Sequence, residues 1–334
     1  MIALDKGPFG TGSCPISHYT RDGVIILAQV SFGKAVYLRT HSSTRLSVRE
    51  ARNFWFFTSP WILGFIFLSG GPIIASLVLS FTNYSITAPP AWVGIQSYAN
   101  LLTDPIYIKS IGVTLTYTFL SVPLSLTFAL AVAVLLSQDI RFLGVFRTIF
   151  YLPAVISGVA VSLLWEWVLN PQFGLANYVL SWFGIHGLLW FEGNHSVILA
   201  FVIMSIWAMG GQMVILLAAL NSVPKVLYEA AEIDGASPWK RFLHITLPMI
   251  SPSILFNLIT GMIASFQVFV PAQVITQGGP NFNSEFYVLY LFNNAFQYFR
   301  MGYASAQAWV LFVLIMILTV VLLTISKRYV YYEE

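Results

Sequence analysis

The stretch Glu229 to Pro248 reads Glu-Ala-Ala-Glu-Ile-Asp-Gly-Ala-Ser-Pro-Trp-Lys-Arg-Phe-Leu-His-Ile-Thr-Leu-Pro. It sets acidic groups, paired alanines and a glycine between two long apolar runs. Its chemistry is that of recognition. Glu229 and Asp234 can make polar contacts. Ala230 and Ala231 let another backbone come close. Gly235 can take left-handed dihedrals at little cost and so ends a helix. Ser222 is placed to cap a helix start, with Pro224 in its first turn. Ser237 is placed to cap a second helix with Pro238 at its first position. Leu227, Ala230, Ala231 and Asp234 fall near one face at three- and four-residue spacing. Leu247-Pro248 predicts a bend, because residues before proline avoid helical dihedrals. From the residues alone, this segment suits docking of a soluble partner or an ordinary interfacial re-entry into the bilayer.

Other chemistry is sparse. The five histidines are scattered, and the single cysteine, Cys14, allows no internal disulfide. No Gly-x-x-x-x-Gly-Lys-Ser/Thr phosphate loop is present, so nucleotide binding of the P-loop kind is not expected. Neither a metalloprotease helix motif, nor a Gly-x-Ser-x-Gly elbow, nor a basic-aromatic nucleic-acid stripe is seen. No ionisable residue lies clearly in the middle of an apolar run, which weakens the case for proton- or sodium-coupled transport. Polar groups do occur there. Asn257, Thr260, Gly261, Ala264, Gln267 and Pro271 fall within about a third of a helix circumference at ~100° per residue. Such a stripe suits a path for a hydroxyl-rich solute, with Asn257 and Gln267 as donors and acceptors, or close helix packing through Gly261 and Ala264. Gln212, beside Gly210 and Gly211, invites the same two readings.

The elements that must carry these residues are membrane spans. The 334 residues are 57% hydrophobic and 9% charged, with mean hydropathy +0.78. Soluble domains carry about 25% charged residues. A spanning helix needs about 20 apolar residues, and six stretches qualify: Phe57–Phe81, Ile111–Leu136, Ile149–Leu169, Val197–Leu220, Pro252–Ile275 and Ala304–Ile325. The expected fold class is all-α and polytopic, with residues 53–328 forming a six-span domain. Lysine and arginine set its orientation. Lys34, Arg39, Arg45, Arg49, Arg52, Arg141, Arg147, Lys225, Lys240, Arg241, Lys327 and Arg328 fall on one side, Lys109 and Arg300 on the other. Both termini and the loop 221–251 are therefore expected in the cytoplasm. Residues 1–52 are expected as a poorly ordered cytoplasmic tail, and 329–334 as a short second one.

The loop resembles the EAA signature of membrane subunits of bacterial ABC importers. Glu229, Ala230, Ala231, Asp234, Gly235, Ile245, Leu247 and Pro248 match it, with nine residues between Gly235 and Ile245. Arg147 to Pro153 followed by Trp165, Val93-Gly94 with Ser97-Tyr98, Thr276 to Pro280, and Met301 to Ala306 resemble carbohydrate-uptake permeases, of the type of the first maltose, lactose or glycerol-phosphate permease. The resemblance implies a type I importer permease fold in a bacterial or archaeal cytoplasmic membrane. It implies that the loop seats on a separate ATPase, which binds the ATP and Mg, so that this chain holds no cofactor and is no enzyme. It further implies a second homologous permease, two ATP-binding subunits, an extracytoplasmic solute-binding protein and a sugar or sugar-like solute. A stand-alone secondary carrier or channel is the alternative. An intramembrane enzyme is a third reading, poorly served by these residues.

Overall fold

The computed structural model describes residues 19–21, 24–26, 45–138, 141–328 and 330. The chain divides into two compact units, Met1–Pro72 and Ile73–Glu334. In the first unit, β1 (Tyr19–Arg21) pairs antiparallel with β2 (Val24–Ile26), Tyr19 facing Ile26. Helix α1 (Arg45–Phe65) starts inside the stretch expected as a tail. The rest of that expected tail, and most of 329–334, lie outside the described residues. A π-helical turn, Ile66–Gly70, follows α1 and leads into α2 (Gly71–Ser80). The Gly71 N–H bonds the Ile66 carbonyl. The wide turn has a cause one residue later: Pro72 lacks a donor and its ring would collide with the carbonyl four residues back.

The second unit is helical: α3 (Gln96–Thr103), α4 (Pro105–Leu136), α5 (Leu143–Tyr151), α6 (Gly158–Val168), α7 (Leu175–Trp182), α8 (Ser196–Trp207), α9 (Gly210–Ser222), α10 (Lys225–Ile233), α11 (Pro238–Arg241), α12 (Leu247–Met249), α13 (Ser251–Phe266), α14 (Tyr287–Phe292) and α15 (Met301–Ser326). Helix α4 lies at its centre and packs against α8, α9 and α13. The burial pattern of α4 inverts that of a soluble helix. Ser110, Thr114, Thr118, Ser121, Ser125, Ala129 and Ala133 are buried, while Phe119, Leu120, Leu124, Phe128 and Leu135 are exposed. In lipid the apolar side chains gain nothing by hiding from the solvent, so small residues take the helix contacts and let backbones approach. Phe312, Met316, Ile317 and Val320 on α15 are exposed likewise.

Among the described residues, three helical runs are long and apolar enough to cross a membrane unbroken: Arg49–Ser80, Pro105–Leu136 and Met301–Ser326. Two of the other expected spans are bent pairs, and the remaining one begins at a bend. Leu143–Ala154 meets Gly158–Val168 at 96°, Ser196–Trp207 meets Gly210–Ser222 at 44°, and Pro238–Met249 meets Ser251–Phe266 at 64°. The expected straight helix Ile149–Leu169 is thus corrected: Pro153 sits in a 3-10 turn and the chain leaves the helix before Gly158. The expected span Pro252–Ile275 is also interrupted. Helix α13 ends at Phe266, and helical geometry resumes as a π-turn over Ala272–Thr276.

Asp104 ties the α4 end of the bundle together. Its Oδ1 accepts from the N–H groups of Ile106 (3.0 Å) and Tyr107 (3.2 Å), capping α4. Its Oδ2 accepts from the hydroxyls of Tyr290 (2.6 Å) and Tyr303 (2.7 Å), joining α14 and α15. Burial pushes this carboxyl up, but the Tyr290 and Tyr303 hydroxyls and the two backbone donors outweigh it, leaving it below its ordinary value. A lowered carboxyl contributes stability above its unfolded pKa, lost as pH falls through the folded one. Asp104→Ala is expected to lower stability by about 4 kcal/mol at neutral pH, about 1 for the lost cap and about 1.5 for each of the two charge-assisted bonds. Asp104→Asn should cost less, because it keeps the capping oxygen. Thermal melting of the purified protein at pH 7 ranks the two.

Candidate functional site

Helix α10 begins after Pro224, whose fixed φ and missing N–H suit the start. Ser222 does not cap it; its hydroxyl bonds the Ala219 carbonyl as the last residue of α9. At the other end Asp234 is the C-cap and Gly235 follows at φ +74°. The Gly235 N–H bonds the Glu232 carbonyl (3.0 Å), and the Ala236 N–H bonds that of Ala231 (2.9 Å). This closure uses up carbonyls that the helix end would leave bare. Ser237 then caps α11 by accepting from the Lys240 N–H (3.4 Å), with Pro238 at the first position, as the sequence suggests.

Two side-chain contacts hold the two arms of this elbow together. Arg241 Nη1 donates to Glu232 Oε2 at 3.2 Å. That pair is solvent-exposed and contributes only ~0–1 kcal/mol. The Tyr228 hydroxyl meets Thr246 Oγ1 at 2.8 Å, half-buried. Thr246 belongs to a π-turn, Phe242–Thr246, which again precedes a proline: the Leu247 N–H reaches back to Phe242, and Pro248 follows. The expected bend at Leu247-Pro248 occurs instead at Ile250, because the wide turn relieves the proline clash and the helix continues to Met249.

The exposed surface of the elbow is partly apolar. Glu229, Ala230, Asp234 and Gly235 are exposed, Ala231 half-buried, and Ile245, Leu247 and Pro248 half-buried in the second arm. Val226 and Ile233, 70% and 88% exposed, flank Glu229 and Ala230 on α10. Neither is among the residues expected to dock, although apolar residues seven apart on a short charged helix signal an outward face. Trp239 is exposed too and stacks on Phe242.

A second feature lies inside the bundle. A cavity of about 490 Å³ opens among α4, α8, α9, α13 and the 153–161 bend; its polar groups include Tyr117, Ser121, Ser125, Gln212 and Ser265. Gln212 lies against Gly261, where a Cβ would come within 3.0 Å of its Nε2, and its Oε1 is buried without a hydrogen-bond partner. Of the four polar residues expected along a path, Gln212 alone lines this cavity. Asn257 is 1% exposed, and its amide donates to the Ser253 carbonyl (2.9 Å). Thr260 bonds the Phe256 carbonyl (2.9 Å) of its own helix. Gln267 is exposed, where α13 has ended. Gly261, Ala264 and Pro271 of the expected stripe do line the cavity, whereas Gln267 falls past the end of the helix at Phe266. The serines of α4 were missed, although Thr114, Thr118, Ser121 and Ser125 recur at helical spacing and all are buried.

Residues 61–331 match the family described as binding-protein-dependent transport system inner membrane component. The chain is 41% identical over 283 residues to the probable ABC transporter permease protein YesP of Bacillus subtilis, covering 83% of this chain and 91% of that one. It is 30% identical over 286 residues to the sulfoquinovosyl glycerol transport system permease protein SmoG of Agrobacterium fabrum, covering 82% and 93%. Among solved structures it superposes on a chain of a bacterial alginate ABC transporter in complex with an alginate pentasaccharide-bound periplasmic protein. The TM-score is 0.75 at 24% identity, over 86% of this chain and 98% of that one.

Proposed function

Since this chain belongs to the binding-protein-dependent inner membrane component family of ABC importers, we propose that it moves a sugar or sugar-like solute through the Gln212 cavity, driven through the Glu229–Pro248 elbow. It is a multi-pass membrane permease subunit of type I fold, and ATP hydrolysis belongs to a separate partner. The complete assembly in this reading holds a second homologous permease, two ATP-binding subunits with their ATP and Mg, and an extracytoplasmic solute-binding protein. It lies in a bacterial or archaeal cytoplasmic membrane with both termini inside.

The cavity carries the solute reading. Its named polar groups are uncharged hydroxyls and one amide, and the amide oxygen of Gln212 lacks a partner. A buried acceptor left unpaired is costly, and a solute hydroxyl would satisfy it. At about 490 Å³ the space lies within the ~300–1,000 Å³ usual for small-ligand sites. Relatives that move glycosides support the same class. In the elbow, exposed Val226 and Ile233 around Glu229 supply an apolar surface with a polar centre for the ATPase. The ATPase can drive transport only if its nucleotide states hold that surface with different affinity.

The test is uptake by the reconstituted transporter. Wild type is expected to concentrate a neutral glycan only with ATP, the ATPase and the binding protein present. Gln212→Leu should lower uptake about tenfold, the loss of one good hydrogen bond in the transport step. Accumulation by this chain alone without nucleotide would instead make it a secondary carrier.

A further inference from the structure

A second pocket, of about 330 Å³, lies past the Phe266 end of α13, away from the elbow, and shares no lining residue with the Gln212 cavity. Gln273, Glu285, Asn293, Gln297, Tyr298 and Arg300 contribute to its wall. We propose that this pocket is a second solute subsite, which holds one sugar residue by its hydroxyls before or after passage through the Gln212 cavity. The proposal rests on the reading of the chain as a sugar permease.

The first support is a set of buried acceptors with nothing to accept. Gln273 Oε1 and Asn293 Oδ1 are both buried and lack partners, and Asn293 as a whole is 9% exposed. The Asn293 amide has spent a donor on Glu285 Oε1 (3.1 Å), so its oxygen remains free for a ligand. Glu285 is 3% exposed and belongs to a loop built around it: a side chain at Gly278 would collide with Glu285 Oε2. Burial pushes the Glu285 carboxyl up to about 7, the Asn293 amide drawing it back only in part. Near neutral pH it can therefore act as donor or acceptor.

The second support is the mixture of groups. A cation would need acceptors alone, and the Arg300 guanidinium in the wall opposes one. An anion would need donors alone, and Glu285 with the two amide oxygens opposes that. A hydroxyl is donor and acceptor at once and meets both kinds of group. Ile106, Phe282 and Tyr298 in the lining supply the apolar surface that a sugar's C–H side requires. The volume lies at the small end of the ~300–1,000 Å³ range for ligand sites, which favours a single ring over a longer glycan.

The test uses the complete transporter in liposomes with its ATPase and binding protein. The probes are radiolabelled glucose, maltose, trehalose and arabinotriose. The glycan that wild type concentrates is then measured in Gln273→Leu, Gln273→Glu and Gln297→Ala, as solute moved per ATP hydrolysed. Gln273→Leu is expected to fall about tenfold and the exposed Gln297→Ala about threefold, while Gln273→Glu, which keeps an acceptor, retains at least half of wild-type coupling. The subsite is overturned by wild-type values in both Gln273→Leu and Gln297→Ala. It is overturned equally by the same loss in Gln273→Glu as in Gln273→Leu, which marks a packing role, or by rescue of Gln273→Leu with added KCl, which marks a cation site. If wild type concentrates none of the four glycans, the sugar reading itself fails and the subsite falls with it.

Discussion

Gly235→Pro is expected to abolish ATP-driven uptake, by at least about a hundredfold, while the protein still reaches the membrane in normal amount. The reason is local. Gly235 holds φ at +74° and its N–H closes the end of α10 on Glu232. Proline fixes φ near −65° and has no N–H to give. The elbow must then open, and the exposed face bearing Val226, Glu229, Ala230 and Ile233 is reoriented. A Cβ at this position meets nothing within 4 Å. Gly235→Ala therefore tests conformation alone, at a cost of about 1–2 kcal/mol, and should keep partial uptake. Glu229→Lys should also uncouple hydrolysis from uptake, through a reversed charge at the centre of the docking face. Reconstituted vesicles with the partner ATPase decide the matter: unaltered solute accumulation in Gly235→Pro would remove the elbow from the transport cycle.

Gly302→Leu is expected to destabilise the second unit by about 2–4 kcal/mol. Gly302 sits at the start of α15 with its N–H on the Tyr84 carbonyl (3.0 Å). A Cβ there would overlap the Thr82 carbonyl oxygen and lie 3.0 Å from the Tyr84 nitrogen. Both obstacles are backbone, so no rotamer change relieves them. Overpacking of this kind costs about 1–3 kcal/mol, occasionally more, and the lost hydrogen bond adds about 1. A melting temperature roughly 10 °C lower is expected for a cost near the top of that range. Melting of the detergent-solubilised protein measures it; a shift below about 2 °C would show that the Thr82–Tyr84 segment can move aside.

The sequence made the spans and the elbow readable for different reasons. The spans Phe57–Phe81, Ile111–Leu136 and Ala304–Ile325 were legible because long apolar runs leave lipid as their only solvent. The Gly235 turn and the Ser237 cap were legible because few residue types fit those positions. The bends were not. Pro123 lies within the unbroken α4, whereas Pro153 accompanies a 96° bend. What differs is the neighbourhood: Gly210 brings the start of α9 so close to the Phe150 carbonyl that any Cβ would strike it. Such a contact joins residues some sixty positions apart and leaves no local trace. The same holds for the cavity. The stripe on α13 places Gly261, Ala264 and Pro271 at the cavity, but it assumes a continuity past Phe266 that Gln267 lacks, and it carries no information about Ser121 on another helix.

The 64° angle between the Pro238–Met249 arm and α13 turns the elbow into a bell crank. With Tyr228 hydrogen-bonded to Thr246, a push on α10 in the proposed cycle would be carried to the pivot at Ile250. The sixteen residues of α13 make a rod of about 24 Å. A rotation of only about 10° at the pivot sweeps its Phe266 tip by about 4 Å. Ser265, hydrogen-bonded to Thr118 of α4 at 2.9 Å, rides on that tip. In the proposed cycle a small stroke at one surface would part that hydrogen bond a full helix length away.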